Sequence, residues 1–181
     1  QRCVEAFYYK GLSLEKINRA EGAIHVFEIL LEIDPKNADA HYHKGLALAK
    51  LGDHRDAITS FDQTISLLPS FAPALYFKGK SLVANGKYPD AIVAFQKALE
   101  LESTYTEVFY HLGFAFLKTG RYQDAIDAFD KNLVKDTSNA LGYFNRGIAL
   151  EKLGKYPEAL ESLDKSLIHD PENALAFYHK G

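Results

Sequence analysis

Large apolar residues recur along this chain at helical spacing, in short blocks separated by polar turns. Between residues 106 and 139, Phe109, Leu112, Phe116 and Leu117 share one helical face up to Gly120, and Ala125, Ile126, Phe129 and Leu133 resume the pattern after it. The block predicts two helices joined by a tight turn. Gly120 suits the left-handed residue that ends a helix, and Asp124 places a carboxylate in the first turn of the next. Pro89 and Pro157 fall where a first-turn proline is tolerated. Links such as Asp34-Pro35-Lys36-Asn37 and Asp170-Pro171-Glu172-Asn173 supply a proline that stops one helix and an asparagine that caps the next.

The blocks repeat. Glycine returns every 34 residues at Gly11, Gly45, Gly79, Gly113, Gly147 and Gly181, and alanine keeps the same step at Ala23, Ala57, Ala91, Ala125 and Ala159. Phe27, Phe61, Phe95, Phe129 and Leu163 form a third series, and Gly52, Gly86, Gly120 and Gly154 a fourth, with Asn18 in its first place. Cut at this period, the chain gives repeats 4–37, 38–71, 72–105, 106–139 and 140–173, and a partial sixth at 174–181. Residues 4–181 are expected to form one array. The sequence begins at Gln1, holds no methionine and stops inside the pattern, so it is expected to be a piece of a longer chain. Gly113 and its equivalents lie in mid-helix, where glycine costs about 1 kcal/mol relative to alanine. A close approach of the paired helices, at Ala125 and its equivalents, is the expected compensation.

These series resemble the tetratricopeptide repeat. In 106–139 the pattern reads Phe109, Leu112-Gly113, Phe116, Ala125, Phe129, Asn132 and Thr137; in 72–105 it reads Leu75, Gly79, Leu82, Ala91, Phe95 and Ala98. The departures are a lysine or arginine before the glycine (Lys44, Lys78, Arg146), and Ser103 and Thr137 where proline is usual. The resemblance implies an all-α fold: a right-handed superhelical solenoid of stacked antiparallel helix pairs, five complete repeats plus a truncated sixth. It implies first helices lining a concave groove and second helices forming the back. A single repeat cannot bury its own apolar face, so neighbours supply the core.

Charge and composition narrow the function. A net charge of −3 offers no excess of cations for a phosphate backbone, so nucleic acid is not expected as a partner. No apolar run approaches the roughly 20 residues that span a bilayer, so no membrane insertion is expected. Cys3 is the only cysteine, which precludes an internal disulfide and fits a reducing, cytoplasmic compartment. No catalytic constellation, phosphate loop or metal-ligand set is present. His43, His111 and His179 hold one place in alternate repeats, too far apart to share an ion. No cofactor and no enzyme activity are expected.

What remains is binding. The resemblance assigns the groove to Tyr8, Tyr42, Tyr76, Tyr110 and Phe144, with His43, Phe77, His111 and Asn145 one position on. One turn further come Leu12, Leu46, Lys80, Phe114 and Ile148. Loop residues Phe71 and Tyr105 replace the capping asparagines around the third repeat, the one complete repeat with positive charge. Phe71, Tyr76, Phe77, Tyr105, Tyr110 and Phe114 are expected to gather near Lys80. Some members of the family grip acidic chaperone tails through a lysine and asparagine clamp, and those slots here hold aromatic and aliphatic residues, with Lys80 the one basic exception. The expected function is therefore a protein–protein interaction module, or scaffold, taking a peptide segment in an apolar, aromatic groove. Two alternatives stand beside it: a scaffold that self-associates end to end, and a regulatory region of a larger enzyme.

Overall fold

A computed structural model describes residues 2–103 and 105–181, with the side chain of Arg2 left aside. The described residues hold eleven α-helices and no strand. They sort into two compact units, the first ending at Leu101 and the second beginning at Glu102.

The first unit contains α1 (Arg2–Lys16), α2 (Ala20–Ile33), α3 (Ala38–Lys50), α4 (His54–Leu67), α5 (Ala72–Ala84) and α6 (Tyr88–Leu101). Each helix packs on the next, and α3 also touches α1 and α5. The second unit contains α7 (Glu107–Lys118), α8 (Tyr122–Lys135), α9 (Ala140–Lys152), α10 (Tyr156–His169) and the short α11 (Ala174–Lys180), again packed in sequence, with α7 touching α9. Both units are thus stacks of helix pairs, one pair per repeat.

Local sequence explains where the helices stop and start. Gly52, Gly86, Gly120 and Gly154 have φ of +84°, +70°, +76° and +72°. Asn18 takes the same left-handed conformation at φ +63°, as its place in the series predicts. The capping asparagines act as expected: the Oδ1 atoms of Asn37, Asn139 and Asn173 accept from the backbone N–H of Ala40 (3.0 Å), Gly142 (2.9 Å) and Ala176 (3.1 Å). Phe71 stands at the same place before α5 without a side-chain cap, and a first-turn proline follows it.

The core is built from the phenylalanine series. Phe27, Phe61, Phe95 and Phe129 are fully buried, as is Leu163. Each such side chain contributes on the order of 1.5–3 kcal/mol of burial. They also refine one expectation. A Cβ placed on Gly113 would meet the ring of Phe129 first, at 2.8 and 2.9 Å; on Gly11 it would meet Phe27 at 2.5 Å, and on Gly45, Phe61 at 2.7 Å, while on Gly147 it would meet Leu163 at 3.0 Å and the backbone carbonyl of Ala159, an equivalent of Ala125, at 3.4 Å. The glycine is needed because a large ring of the second helix lies close against the backbone of the first. The small alanines are buried beside it.

The basic residues before these glycines are the other feature explained by packing. Lys44 pairs with Glu28 (2.9 Å), Lys78 with Asp62 (2.6 Å), Lys180 with Asp164 (2.6 Å), and Arg146 with Asp130. Each cation reaches back 16 residues, from a first helix to the second helix of the preceding pair. Arg146 also donates to the buried Ser162 hydroxyl.

Candidate functional site

The inner face of the first unit is carried by α1, α3 and α5. Tyr42 on α3 is its hub: its ring meets Phe71 edge-on at 5.1 Å between centroids, Phe77 at 6.1 Å and the core ring of Phe61 at 6.1 Å. Phe77 continues to Tyr76 at 5.0 Å. The Lys80 ammonium lies over both rings, 5.4 Å from the centroid of Tyr76 and 5.5 Å from that of Phe77. Phe71, Tyr76, Phe77 and Lys80 therefore come together, with Tyr42 as an added member. Tyr76 is the most enclosed of them, at 7% exposure.

Beside this cluster, Leu12 and Leu46 are half-buried, with their inner ends packed on the core. A small cavity of about 170 Å³ opens between Glu15, Leu46 and Lys50. Tyr8 and His43 occupy the adjoining position. The His43 ring stacks on Phe27 at 5.8 Å and meets Tyr8 edge-on, and its Nδ1 lies 2.9 Å from Glu15 Oε2. Glu15 is thus tied to a histidine, whereas Lys80 has no carboxylate partner among the described residues.

Burial sets the titration of the phenols. Tyr42 is pushed up to about 12, first by burial and then by the negative charge of Glu15. Tyr8 is raised by burial, with Asp39 and Glu15 adding to it. Tyr110 is raised by burial against the opposing effect of its hydrogen bond from Asn145.

The inner face of the second unit lies on α7, α9 and α11. Tyr110 meets His111 at 5.2 Å and the core ring of Phe129 at 6.1 Å, and its hydroxyl accepts a 3.4 Å bond from Asn145 Nδ2. Asn145 is itself buried, at 8% exposure. The Lys118 ammonium stands 5.2 Å over the Phe114 ring. Phe144 meets His179 at 5.9 Å, and His179 Nδ1 lies 2.8 Å from Glu151 Oε2, repeating the His43–Glu15 pair. Ile148 and Tyr105 are half-buried. Of the six aromatics expected near Lys80, Tyr105, Tyr110 and Phe114 belong to this unit and not to the first.

Sequence reasoning singled out His43 and His179 but missed their pairing with Glu15 and Glu151. The signal was a 28-residue spacing shared by both pairs. It also missed Lys118 as a second cation over an aromatic ring. Each unit thus presents half-buried aromatic and aliphatic surface beside an ammonium group. Such a surface suits apolar side chains and a carboxylate. Among the described residues, no group of three or more His, Cys, Asp or Glu could hold a metal ion, and no helix is long and apolar enough to cross a membrane.

Comparison with known proteins agrees with this architecture. The family model described as "TPR repeat" matches residues 79–120, "Tetratricopeptide repeat" matches 140–173, and "Anaphase-promoting complex, cyclosome, subunit 3" matches 16–98. No curated protein matches the chain in sequence. Among solved structures, the MamA protein is 26% identical, with 95% of this chain and 94% of that one covered and a TM-score of 0.86. MamA from Desulfovibrio magneticus RS-1 is 20% identical, covering 94% and 97%, at a TM-score of 0.87. YrrB, described as a TPR protein with an unusual peptide-binding site, is 24% identical, covering 96% and 90%, also at 0.87. The 34-residue series, the helix pairs and the matched models converge: the chain contains tetratricopeptide repeats.

Proposed function

We propose that this chain is a non-catalytic protein-binding module that takes a peptide segment of a partner on the inner faces of its first helices. The observation that carries the reading is the Lys80 ammonium over the Tyr76 and Phe77 rings, free of any carboxylate among the described residues. Lys118 over Phe114 offers the same chemistry in the second unit. Buried aromatics with an occasional cation are the composition of binding hot spots. YrrB, described as having a peptide-binding site, shares the fold and lends it precedent. The lone Cys3 favours a reducing, cytoplasmic setting.

The test is selection of random peptides on the immobilised protein, followed by affinity measurement on a Leu46→Asp/Ile148→Asp variant. Both side chains are only partly buried, so helicity should be kept. Selected peptides should be rich in apolar residues and lose at least about tenfold in affinity on the variant. Equal binding to both proteins would defeat the reading.

One observation favours end-to-end self-association as a second reading. Leu175, Phe177 and Tyr178 on α11 are 60%, 56% and 78% exposed. Sedimentation that stays monomeric at millimolar concentration would remove it.

A further inference from the structure

The repeats differ from one another at a place away from the inner faces. Stepping by 34 residues, one position holds Phe7, His41, Leu75, Phe109, Tyr143 and Phe177, so Leu75 alone carries no ring. In the second unit the use of that ring is visible. The Lys131 ammonium lies 5.4 Å over Phe109. The Lys165 ammonium lies 5.9 Å over Tyr143, whose ring stacks on His169 at 5.9 Å with only 10° between planes. A cation from the following second helix closes over an aromatic from the first.

The third repeat keeps the cation and lacks the ring. Lys97 is the counterpart of Lys131 and Lys165, Leu101 that of His169, and Leu75 stands where the aromatic would be. Leu75 lines a groove of about 680 Å³ between α4 and α6. Leu75 and Leu82, 5% and 3% exposed, form its floor. Ile58 and Ile65 line the α4 side, and Val93 and Leu101, 51% and 46% exposed, line the α6 side. Lys78 on the floor is already paired with Asp62, whereas Lys97 makes no ion pair among the described residues.

We propose that this groove is a second docking site, separate from the inner faces, for a segment of a partner protein that presents an aromatic side chain. The ring lies over Leu75, beneath the Lys97 ammonium and against Leu101, in the arrangement Tyr143, Lys165 and His169 make within the second unit. The shape favours a protein segment. The groove is an open trough beside a 14-residue helix, about 21 Å long at 1.5 Å per residue. Its exposed apolar edges, Val93 and Leu101, would cover the residues flanking the ring.

The probe is a blocked pentapeptide, Ala-Leu-Phe-Glu-Ala, titrated into isotopically labelled protein and followed by backbone amide shifts. Leucine and alanine versions of the central residue and free N-acetylphenylalaninamide run beside it. The phenylalanine peptide should shift the amides of Leu75, Val93, Lys97 and Leu101 saturably. Alanine at the centre should weaken binding about tenfold, and Lys97→Gln about three- to fivefold. Leu75→Tyr, which supplies the ring from within, should abolish binding. Val93→Glu, an exposed change that leaves the core untouched, should also abolish it and serves if Leu75→Tyr does not fold. The proposal is overturned if the leucine peptide binds as well as the phenylalanine one. Binding of N-acetylphenylalaninamide as tight as the peptide would make this a small-molecule site and equally overturn it. So would shifts at these amides that grow with protein concentration alone, which would mark a second copy as the occupant.

Discussion

The contact between Gly113 and Phe129 allows opposing effects to be weighed at one atom. In an exposed helix, glycine to alanine gains about 1 kcal/mol from propensity. At Gly113 the new methyl carbon would sit 2.8 Å from Phe129 Cε1 and 2.9 Å from Cδ1, inside ordinary van der Waals contact by roughly half an ångström. The ring is fully buried, so it has no free space to yield into. Overpacking of this kind costs about 1–3 kcal/mol. Gly113→Ala should therefore be destabilising by up to about 2 kcal/mol net, despite the better helix former. Urea denaturation of wild type, Gly113→Ala, Phe129→Leu and the double variant would measure it. Leucine at 129 copies the Gly147–Leu163 pair, where the same Cβ would lie at 3.0 Å from the nearest atoms. Phe129→Leu alone loses packing, but in the double variant the methyl fills space the ring vacates. The double variant should be more stable than the sum of the singles by about 1 kcal/mol or more. A stabilised Gly113→Ala, or strict additivity, would refute the steric account of this glycine series.

Other expectations follow from particular groups. Because Tyr42 is raised to about 12, the folded state holds the phenol proton more tightly than the unfolded chain does, whose value is about 10. The stability this gives is fully present below pH 10 and lost between pH 10 and 12; Tyr42→Phe should flatten that part of the pH–stability curve, and an unchanged slope would contradict it. Ser81 is 1% exposed and its hydroxyl has no partner among the described residues. Ser81→Ala should be neutral or stabilising by up to about 1 kcal/mol, and a clear loss in thermal melting would show a missed bond. Asn37→Ala removes the cap on Ala40 and its bond to Asp34, and should cost about 1 kcal/mol in chemical denaturation.

Periodicity made the helix pairs legible because burial on one face leaves a repeating trace. Four series in one register left few other ways to fold. Turn chemistry was equally plain, down to Asn18 standing in for glycine. The ring that lies nearest the mid-helix glycine was not foreseen because spacing shows which faces meet but not which side chain reaches across. Alanine and phenylalanine follow on the same helix face, four residues apart, and only geometry decides between them. The reach of Lys44, Lys78 and Arg146 to acids 16 residues earlier was hidden for a related reason. Charges on separate helices leave no periodic sign unless both ends are sought together. The aromatic series of the first helices was readable, while the His43–Glu15 and His179–Glu151 pairs required the stacking of one helix on another.

The two glycine ladders answer to different physics, and handedness separates them. At Gly52, Gly86, Gly120 and Gly154 a Cβ would meet nothing within 4 Å, so space is available and only the positive φ excludes ordinary residues. A mirror-image amino acid prefers that same conformation. D-Alanine introduced at residue 86 by chemical ligation would therefore be welcomed, whereas L-alanine would be strained. At Gly113 neither enantiomer helps, since the helix backbone disfavours one and the Phe129 ring blocks the other. One ladder is written in chirality and the other in volume, and a designer extending this array could relax each without consulting the other.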